Sequence, residues 1–187
     1  MSAFHVHTQE TTSDAGREVL TAAKKKFGFV PNLMGVLAEA PAAAKAYATL
    51  GDLVAETSFT PTERHVVWFT INAYHDCRYC MAAHTTIAKA EKIPDQIIDE
   101  ARADTGYSDE RLNALRDFTL HLTDQRGWVD QTQLEAFHAA GYTKQHVLEI
   151  ITVLAHKVLS NYTNHLAETP IDGVFAPHAW EPQDAAV

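Results

Sequence analysis

The sequence predicts an all-α protein. Helix start and stop signals recur along the chain, the apolar residues between them keep helical spacing, and no segment shows the alternation typical of a strand. The 187 residues suffice for one well-filled core, so we expect a single domain. Its core should cover about residues 27–168, between a polar N-terminal segment and an irregular tail at residues 170–187.

Capping residues, prolines and glycines mark the helix boundaries. Thr12, Ser13 and Asp14 are typical of a helix start, and Gly28 is typical of a helix end. Pro41 and Gly141 mark a later start and a later end in the same way. With their caps, the predicted helices cover residues 12–27, 31–38, 42–56, 60–75, 77–91, 94–103, 108–122, 130–140 and 143–165.

The stretch 60–90 contains both cysteines of the chain, and we expect the fold to be organised around it. It begins with a capping box in which Thr60 caps the helix and Glu63 returns a hydrogen bond. The residues that follow are apolar nearly all round, which indicates a buried helix. A break at His75 and Asp76 should then begin a second, antiparallel helix with Asp76 as its N-cap.

Two cysteines and a histidine should share one face of this second helix. Cys77, Cys80 and His84 occupy positions i, i+3 and i+7. In an antiparallel hairpin His84 would lie about 10 Å from the turn, His65 about 15 Å and Glu63 about 18 Å. A group on the first helix can therefore approach the thiols and relay protons. Both His65 and Glu63 are candidates, and Glu63 could equally be a capping residue only.

The spacing of the two thiols favours redox or metal chemistry. In a reducing compartment a C-x-x-C pair is seldom a structural disulfide. A thiol is nucleophilic only as the thiolate, and a helix N-terminus or a nearby imidazole lowers its pKa from about 8.5. The helix dipole favours Cys77 as the attacking sulfur, because it lies closer to the helix start. Proximity to His84, which could accept a proton directly, favours Cys80.

Composition excludes several classes of function. The formal net charge of −9 argues against nucleic acid or an anionic membrane as the main partner. The first residues lack the apolar run of a secretory signal, and no apolar run approaches the length of a membrane span. We therefore expect a cytoplasmic protein without a bound cofactor.

Two further motifs carry a resemblance to a known family. The segment FGFVPNLMGVLAEAP at residues 27–41, followed by the pattern Cys77-x-x-Cys80-x-x-x-His84, resembles the carboxymuconolactone decarboxylase family. Within it, the chain is most similar to the peroxidase-related branch that resembles the alkylhydroperoxidase AhpD. The likeness covers roughly residues 27–166. At the position of the relay glutamate of AhpD this chain has His65, and Glu63 lies two residues before it.

The resemblance implies an all-helical enzyme that assembles as a trimer or a hexamer and reduces small hydroperoxides as an antioxidant. The second cysteine, Cys80, would attack the peroxide, and Cys77 would close a disulfide with it. A glutamate on the preceding helix and His84 would relay protons. A thiol or dithiol reductant would then restore the pair.

Other classes of function stay open at this point. His75, Cys77, Cys80 and His84 are four soft ligands, but tetrahedral zinc usually takes two ligands from a distant segment. A decarboxylase acting on a muconolactone-type acid, as in the namesake of the family, would retain activity without either cysteine. A non-catalytic scaffold would show no thiol reactivity.

The last long helix has polar residues on an otherwise apolar segment. His156, Asn161 and His165 could complete the pocket, but we interpret them as a solvated face or a subunit contact.

Overall fold

The computed structural model describes residues 4–182, and within that range the chain is all-α, as predicted. Between residues 4 and 182, nine α-helices are followed by one 3₁₀ turn at Ala176–His178. The helices are α1 (Asp14–Phe27), α2 (Asn32–Leu37), α3 (Pro41–Ala55), α4 (Pro61–Tyr74), α5 (Arg78–Ala90), α6 (Asp95–Ala103), α7 (Glu110–Asp124), α8 (Gln131–Ala139) and α9 (Lys144–Ala167). None of these helices is long and apolar enough to cross a bilayer.

Local capping signals explain why the predicted boundaries agree with the helices to within a few residues. The hydroxyl of Ser13 accepts a hydrogen bond from the first turn of α1, and Gly28 ends that helix at a φ of 82°. At the start of α4 the Thr60 backbone N–H donates to the Glu63 carboxylate at 2.8 Å, which completes the predicted capping box.

The reversal between α4 and α5 differs from the prediction in one respect. Asp76 is not the N-cap of α5, because Cys77 occupies that position. Asp76 instead ends α4: it has a φ of 51°, its N–H donates to the Ala73 carbonyl, and the Cys77 N–H donates to the Asn72 carbonyl. This pair of hydrogen bonds is a Schellman motif. Asp76 reverses the chain in a conformation that glycine adopts most easily and that aspartate tolerates.

Helices α4 and α5 form the predicted antiparallel pair. His65, near the start of α4, contacts Glu91, just after α5, and Trp68 contacts His84 in the middle of α5. Helix α4 also packs against α6, α7 and α9, so it lies at the centre of the molecule. Its fully buried side chains include Val66, Val67 and Ile71.

Two apolar clusters flank this central pair. The larger one joins α4 with α6, α7, α8 and α9, and it contains the stacked rings of Phe118 and Phe137. The smaller one joins α1, α2 and α3 with the start of α5, and it contains both cysteines. The two cysteines therefore lie where the second cluster meets the central helices.

The C-terminal tail crosses the start of α5. Up to residue 182 it is irregular apart from its 3₁₀ turn, and residues 183–187 of the predicted tail lie outside the described range. The Asp172 carboxylate accepts hydrogen bonds from the Tyr79 hydroxyl at 2.6 Å and from the Asn32 backbone N–H at 3.1 Å. One carboxylate thus joins the tail, the start of α2 and the C-x-x-C segment.

Candidate functional site

Both cysteines are buried at the first turn of α5. Cys77 is fully buried and Cys80 is 3% exposed, and the two residues approach to within 3.5 Å. Neither forms a disulfide in this structure. On one side the pair packs among apolar side chains of α1, α2 and α3, with the partly buried ring of Tyr47 against the same cluster.

A polar stripe of α9 covers the other side of the pair. Lys157, Ser160, Asn161 and Asn164 are all buried, and their spacing of i, i+3, i+4 and i+7 puts them on one helix face. The Asn164 amide donates to Cys80 Sγ at 3.3 Å. Cys80 therefore contacts apolar groups on one side and hydrogen-bond donors on the other.

Asn161 connects the cysteine turn to α4. Its amide nitrogen donates to the side-chain oxygen of Asn72 at 3.1 Å, and its oxygen accepts from His75 Nδ1 at 3.0 Å. Burial lowers the pKa of His75, so this ring is neutral and donates from Nδ1. The interpretation of Asn161 and His156 as a solvated or interface face is wrong, because both are buried within the chain, whereas His165 is exposed as expected.

The two sulfurs have opposite acid–base character. Burial raises the pKa of the Cys80 thiol. Hydrogen bonds from Cys77, Ser160 and Asn161, together with the charge of Lys157, outweigh that effect and hold the pKa of Cys80 well below its ordinary value. The pKa of Cys77 is raised, first because its thiol hydrogen-bonds to Cys80 and second because it is buried. Cys80 is therefore the more acidic of the two sulfurs and Cys77 the less acidic.

His84 lies on the same face of α5 as Cys80, as the spacing predicts, but its partner is a lysine. Its Nε2 contacts Lys157 Nζ at 2.9 Å, and no sulfur contact with His84 is found within residues 4–182. Burial, followed by the charge of Lys157, lowers the pKa of His84 well below its ordinary value. We expected His84 to accept a proton directly from Cys80. In the structure His84 Nε2 instead accepts a hydrogen bond from Lys157 and makes no contact with the sulfur.

Of the two candidate relay residues on α4, His65 lies near His84 and Glu63 does not contact it. The rings of His65 and His84 have centroids 6.5 Å apart, and His65 Nε2 lies 3.2 Å from the carboxylate of Glu91 at the surface. Burial lowers the pKa of His65, although Glu91 acts in the opposite direction.

Glu63 is engaged at the start of α4. Its carboxylate accepts from Thr60 and forms an ion pair with Arg111 of α7. Burial alone would raise the pKa of Glu63, but the hydrogen bonds from Thr60 and the Arg111 charge bring it below the usual value. These contacts favour the capping role of Glu63.

Lys157 and Asn164 are the site residues that the sequence reasoning missed. The available signal was a lysine, a serine and two asparagines that continue the buried register of Ile150 and Val153 along α9. A polar stripe in phase with the apolar face of a helix points inward, because the opposite face is the one that meets solvent.

The soft ligands of the metal hypothesis do not converge. His75 is directed to Asn161, His84 is directed to Lys157, and only the two cysteines meet. Within residues 4–182 no group of three or more His, Cys, Asp or Glu side chains could hold a metal ion.

A family comparison matches the central part of the chain. Residues 41–116 match the model of the carboxymuconolactone decarboxylase family. The matched segment begins at α3 and ends within α7, so it includes α4, α5 and both cysteines. None of the curated proteins compared with the chain matches it.

Solved structures share the fold over almost the whole chain. The alkylhydroperoxidase AhpD core of an uncharacterized peroxidase-related protein from Ralstonia eutropha JMP134 has a TM-score of 0.80 at 24% identity, covering 97% of this chain and 98% of that one. For an uncharacterized peroxidase-related protein from Silicibacter sp. TM1040 the TM-score is 0.78 at 16% identity, with 93% of each chain covered. The apo debrominase Bmp8 has a TM-score of 0.72 at 16% identity, covering 88% of this chain and 90% of that one. At these identities the likeness shows a common fold.

Proposed function

We propose that this chain is a thiol-dependent hydroperoxide reductase, because residues 41–116 match the model of the carboxymuconolactone decarboxylase family and the described residues have the AhpD-like fold. One observation carries the proposal: Cys77 and Cys80 lie 3.5 Å apart at the first turn of α5, where the surroundings lower the pKa of Cys80 and raise that of Cys77. A two-electron oxidation to a disulfide needs a nucleophilic sulfur with a second thiol within reach.

The reaction follows from the opposite acid–base character of the two sulfurs. The Cys80 thiolate attacks one peroxide oxygen, an S–O bond forms, the O–O bond breaks, and the leaving alkoxide takes a proton to become an alcohol. Cys77 then attacks the sulfenic acid at Cys80, which gives the disulfide and water. The raised pKa of Cys77 keeps its proton available for that water. A small dithiol or a thioredoxin-type reductant returns both electrons by thiol–disulfide exchange.

We assign the proton relay to His84, His65 and Glu91 rather than to Glu63. The centroid separation of 6.5 Å between the two histidine rings is one that a single water molecule can bridge. Glu91 is exposed at the surface, so the pathway ends in solvent. Glu63 contributes to stability instead, through the capping box and Arg111.

Thiol titration tests the proposed function. We expect one equivalent of an organic hydroperoxide to reduce the free thiols of the unfolded, quenched protein from two per chain to none, because each peroxide consumes one dithiol. Dihydrolipoyl or thioredoxin-type donors should then restore both thiols, and with an excess of donor the enzyme should turn over repeatedly, as in a reducing cytoplasm.

Two outcomes would contradict this proposal. Thiols that persist at saturating hydroperoxide would show that the pair does not react with peroxides. Conversion of a muconolactone-type acid by a variant carrying serine at both positions 77 and 80 would favour the decarboxylase reaction of the namesake of the family, which needs neither sulfur.

We also propose that the chain is a homo-oligomer. Helix α9 presents Leu148, Ile151 and Tyr162 to solvent with exposures of 66%, 45% and 51%. Their helical spacing puts these side chains along one side of the helix, and an apolar stripe of this kind is typical of a subunit contact. A trimer or a hexamer is the assembly that the family resemblance implies.

Light scattering after size-exclusion chromatography checks the assembly. We expect a mass of at least twice that of one chain, and we expect Leu148→Glu combined with Ile151→Glu to reduce it towards the monomer. The matched control is Trp128→Glu, at a position 83% exposed on the loop between α7 and α8, which should leave the mass unchanged. A monomeric wild-type protein would refute the proposal.

A further inference from the structure

Lys157 is a lysine in the interior without an acidic partner. Its side chain is fully buried, and its contact in the described structure is the 2.9 Å approach of Nζ to His84 Nε2. Between residues 4 and 182, no carboxylate lies within ion-pairing distance of its ammonium group. Lysine is almost never fully buried unless it is paired.

A buried ammonium group needs a counter-charge. Removing one charge from water without compensation costs several kcal/mol in real proteins, even after relaxation. His84 can accept a hydrogen bond from Lys157 but cannot neutralise it, because an imidazole is either neutral or positively charged, and burial and the lysine charge lower the pKa of this ring. The counter-charge therefore has to come from another group near Nζ.

Few titratable groups face this part of the interior. Five of them interact electrostatically or by hydrogen bonds with Cys80: Tyr47 from α3, His75 and Cys77 from the turn, Tyr79 from α5, and Lys157 from α9. His84 on α5 and His156 on α9 are the other buried groups on which Lys157 acts. The pKa of Tyr47, Tyr79 and Cys77 is raised in each case, by burial for the tyrosines and by the Cys80 hydrogen bond for Cys77, so none of the three supplies an anion.

We propose that the ammonium group of Lys157 is the counter-ion of a Cys80 thiolate, so that the two form a buried ion pair between α9 and α5. Asn164 and the other polar residues of the α9 stripe solvate this pair in place of water. Lys157 is thus a charge-balancing residue of the thiol site, acting on the nucleophile from the neighbouring helix.

The pair also supplies the proton that peroxide reduction requires, an extension that depends on the proposed function. When the Cys80 thiolate becomes a sulfenic acid, the negative charge moves to the leaving alkoxide. Transfer of one proton from Lys157 gives the alcohol and a neutral amine, so no uncompensated charge remains in the interior. Reduction of the disulfide by a dithiol returns one proton to Cys77 and one to Lys157.

Ultraviolet titration of the thiolate tests the ion pair without any reagent that must enter the site. We expect the reduced wild-type protein to show about one thiolate per chain at neutral pH, and Cys80→Ser to lose that absorbance. In Lys157→Met, which keeps most of the length of the side chain but removes its charge, the midpoint of the thiolate titration should rise by at least about one pH unit, because a tenfold change in the ionisation constant corresponds to one pKa unit.

Two variants serve as controls. Lys157→Arg keeps the charge and should retain the thiolate to within about threefold, whereas a role of the lysine in packing alone would not distinguish arginine from methionine in this way. Lys144→Met removes an exposed lysine from the same helix and should leave the titration unchanged. The far-ultraviolet dichroism of each variant identifies any loss of fold.

Specific results would overturn the inference. An unchanged thiolate titration in folded Lys157→Met refutes the ion pair. A wild-type protein without thiolate at neutral pH refutes it as well, even if every Lys157 variant fails to fold. A thiolate that depends on Lys157 in a protein that does not consume hydroperoxide would support the ion pair and reject the peroxidase function, so the two proposals can fail separately.

Discussion

In the Cys80→Ser variant we expect hydroperoxide consumption to fall by at least about 10³-fold, as removal of a catalytic nucleophile does in other enzymes. Serine has nearly the same shape, but its hydroxyl is far less acidic than a thiol and does not ionise to a nucleophilic anion as a thiol does. The Asn164 and Cys77 hydrogen bonds that stabilise a thiolate would then have no anion to stabilise. Steady-state consumption of an organic hydroperoxide with a dithiol donor measures the loss.

Cys77→Ser is the matched comparison, because it changes the other sulfur at the same turn. This variant should still react once with peroxide and should accumulate a sulfenic acid at Cys80, detectable with a dimedone-type probe, since no thiol is present to resolve it. The reverse pattern, with an active Cys80→Ser and an inert Cys77→Ser, would assign the attack to Cys77.

The second large effect concerns the core opposite the thiols. We expect Phe118→Ala to lower the free energy of unfolding by about 3–5 kcal/mol, because it removes a buried ring and leaves a cavity. The Phe118 side chain is 1% exposed, and it stacks on Phe137 with ring centroids 4.1 Å apart. Chemical denaturation followed by circular dichroism gives the difference.

Trp128→Ala is the control for that measurement. Trp128 is 83% exposed, so removing its ring should change the free energy of unfolding by no more than about 0.5 kcal/mol. Equal losses in the two variants would show that the stacked rings of α7 and α8 do not dominate stability.

The sequence alone predicted the helix boundaries that depend only on residues close together in the chain. Thr60 and Glu63 are three positions apart and form their capping box without help from the rest of the chain. Gly28 ends α1 for a similarly local reason. The position of the chain reversal at Asp76 was predicted correctly, but the role of Asp76 as an N-cap was not. Aspartate is suited both to an N-cap and to the left-handed conformation at a helix end.

The composition of the thiol site could be predicted only for residues that are close in sequence. Cys77, Cys80 and His84 lie on one short helix, and their common face follows from helical geometry. Lys157 and Asn164 come from a helix more than 70 residues away, with separations of 73 and 84 residues to their partners. Nothing local to the cysteines indicates which helix will pack over them, so the donors to Cys80 became visible only in the structure.

The carboxylate of Asp172 has a consequence for the order in which the molecule is made. It holds Tyr79 across 93 residues and the first residue of α2 across 140 residues, and closing such long loops is entropically costly. A ribosome releases the chain from its N-terminus, so Tyr79 is synthesised well before its anchor. During translation the α4–α5 hairpin can form before residue 172 has been made, whereas the segment between the cysteines acquires its anchor only after 93 further residues have been added to Tyr79.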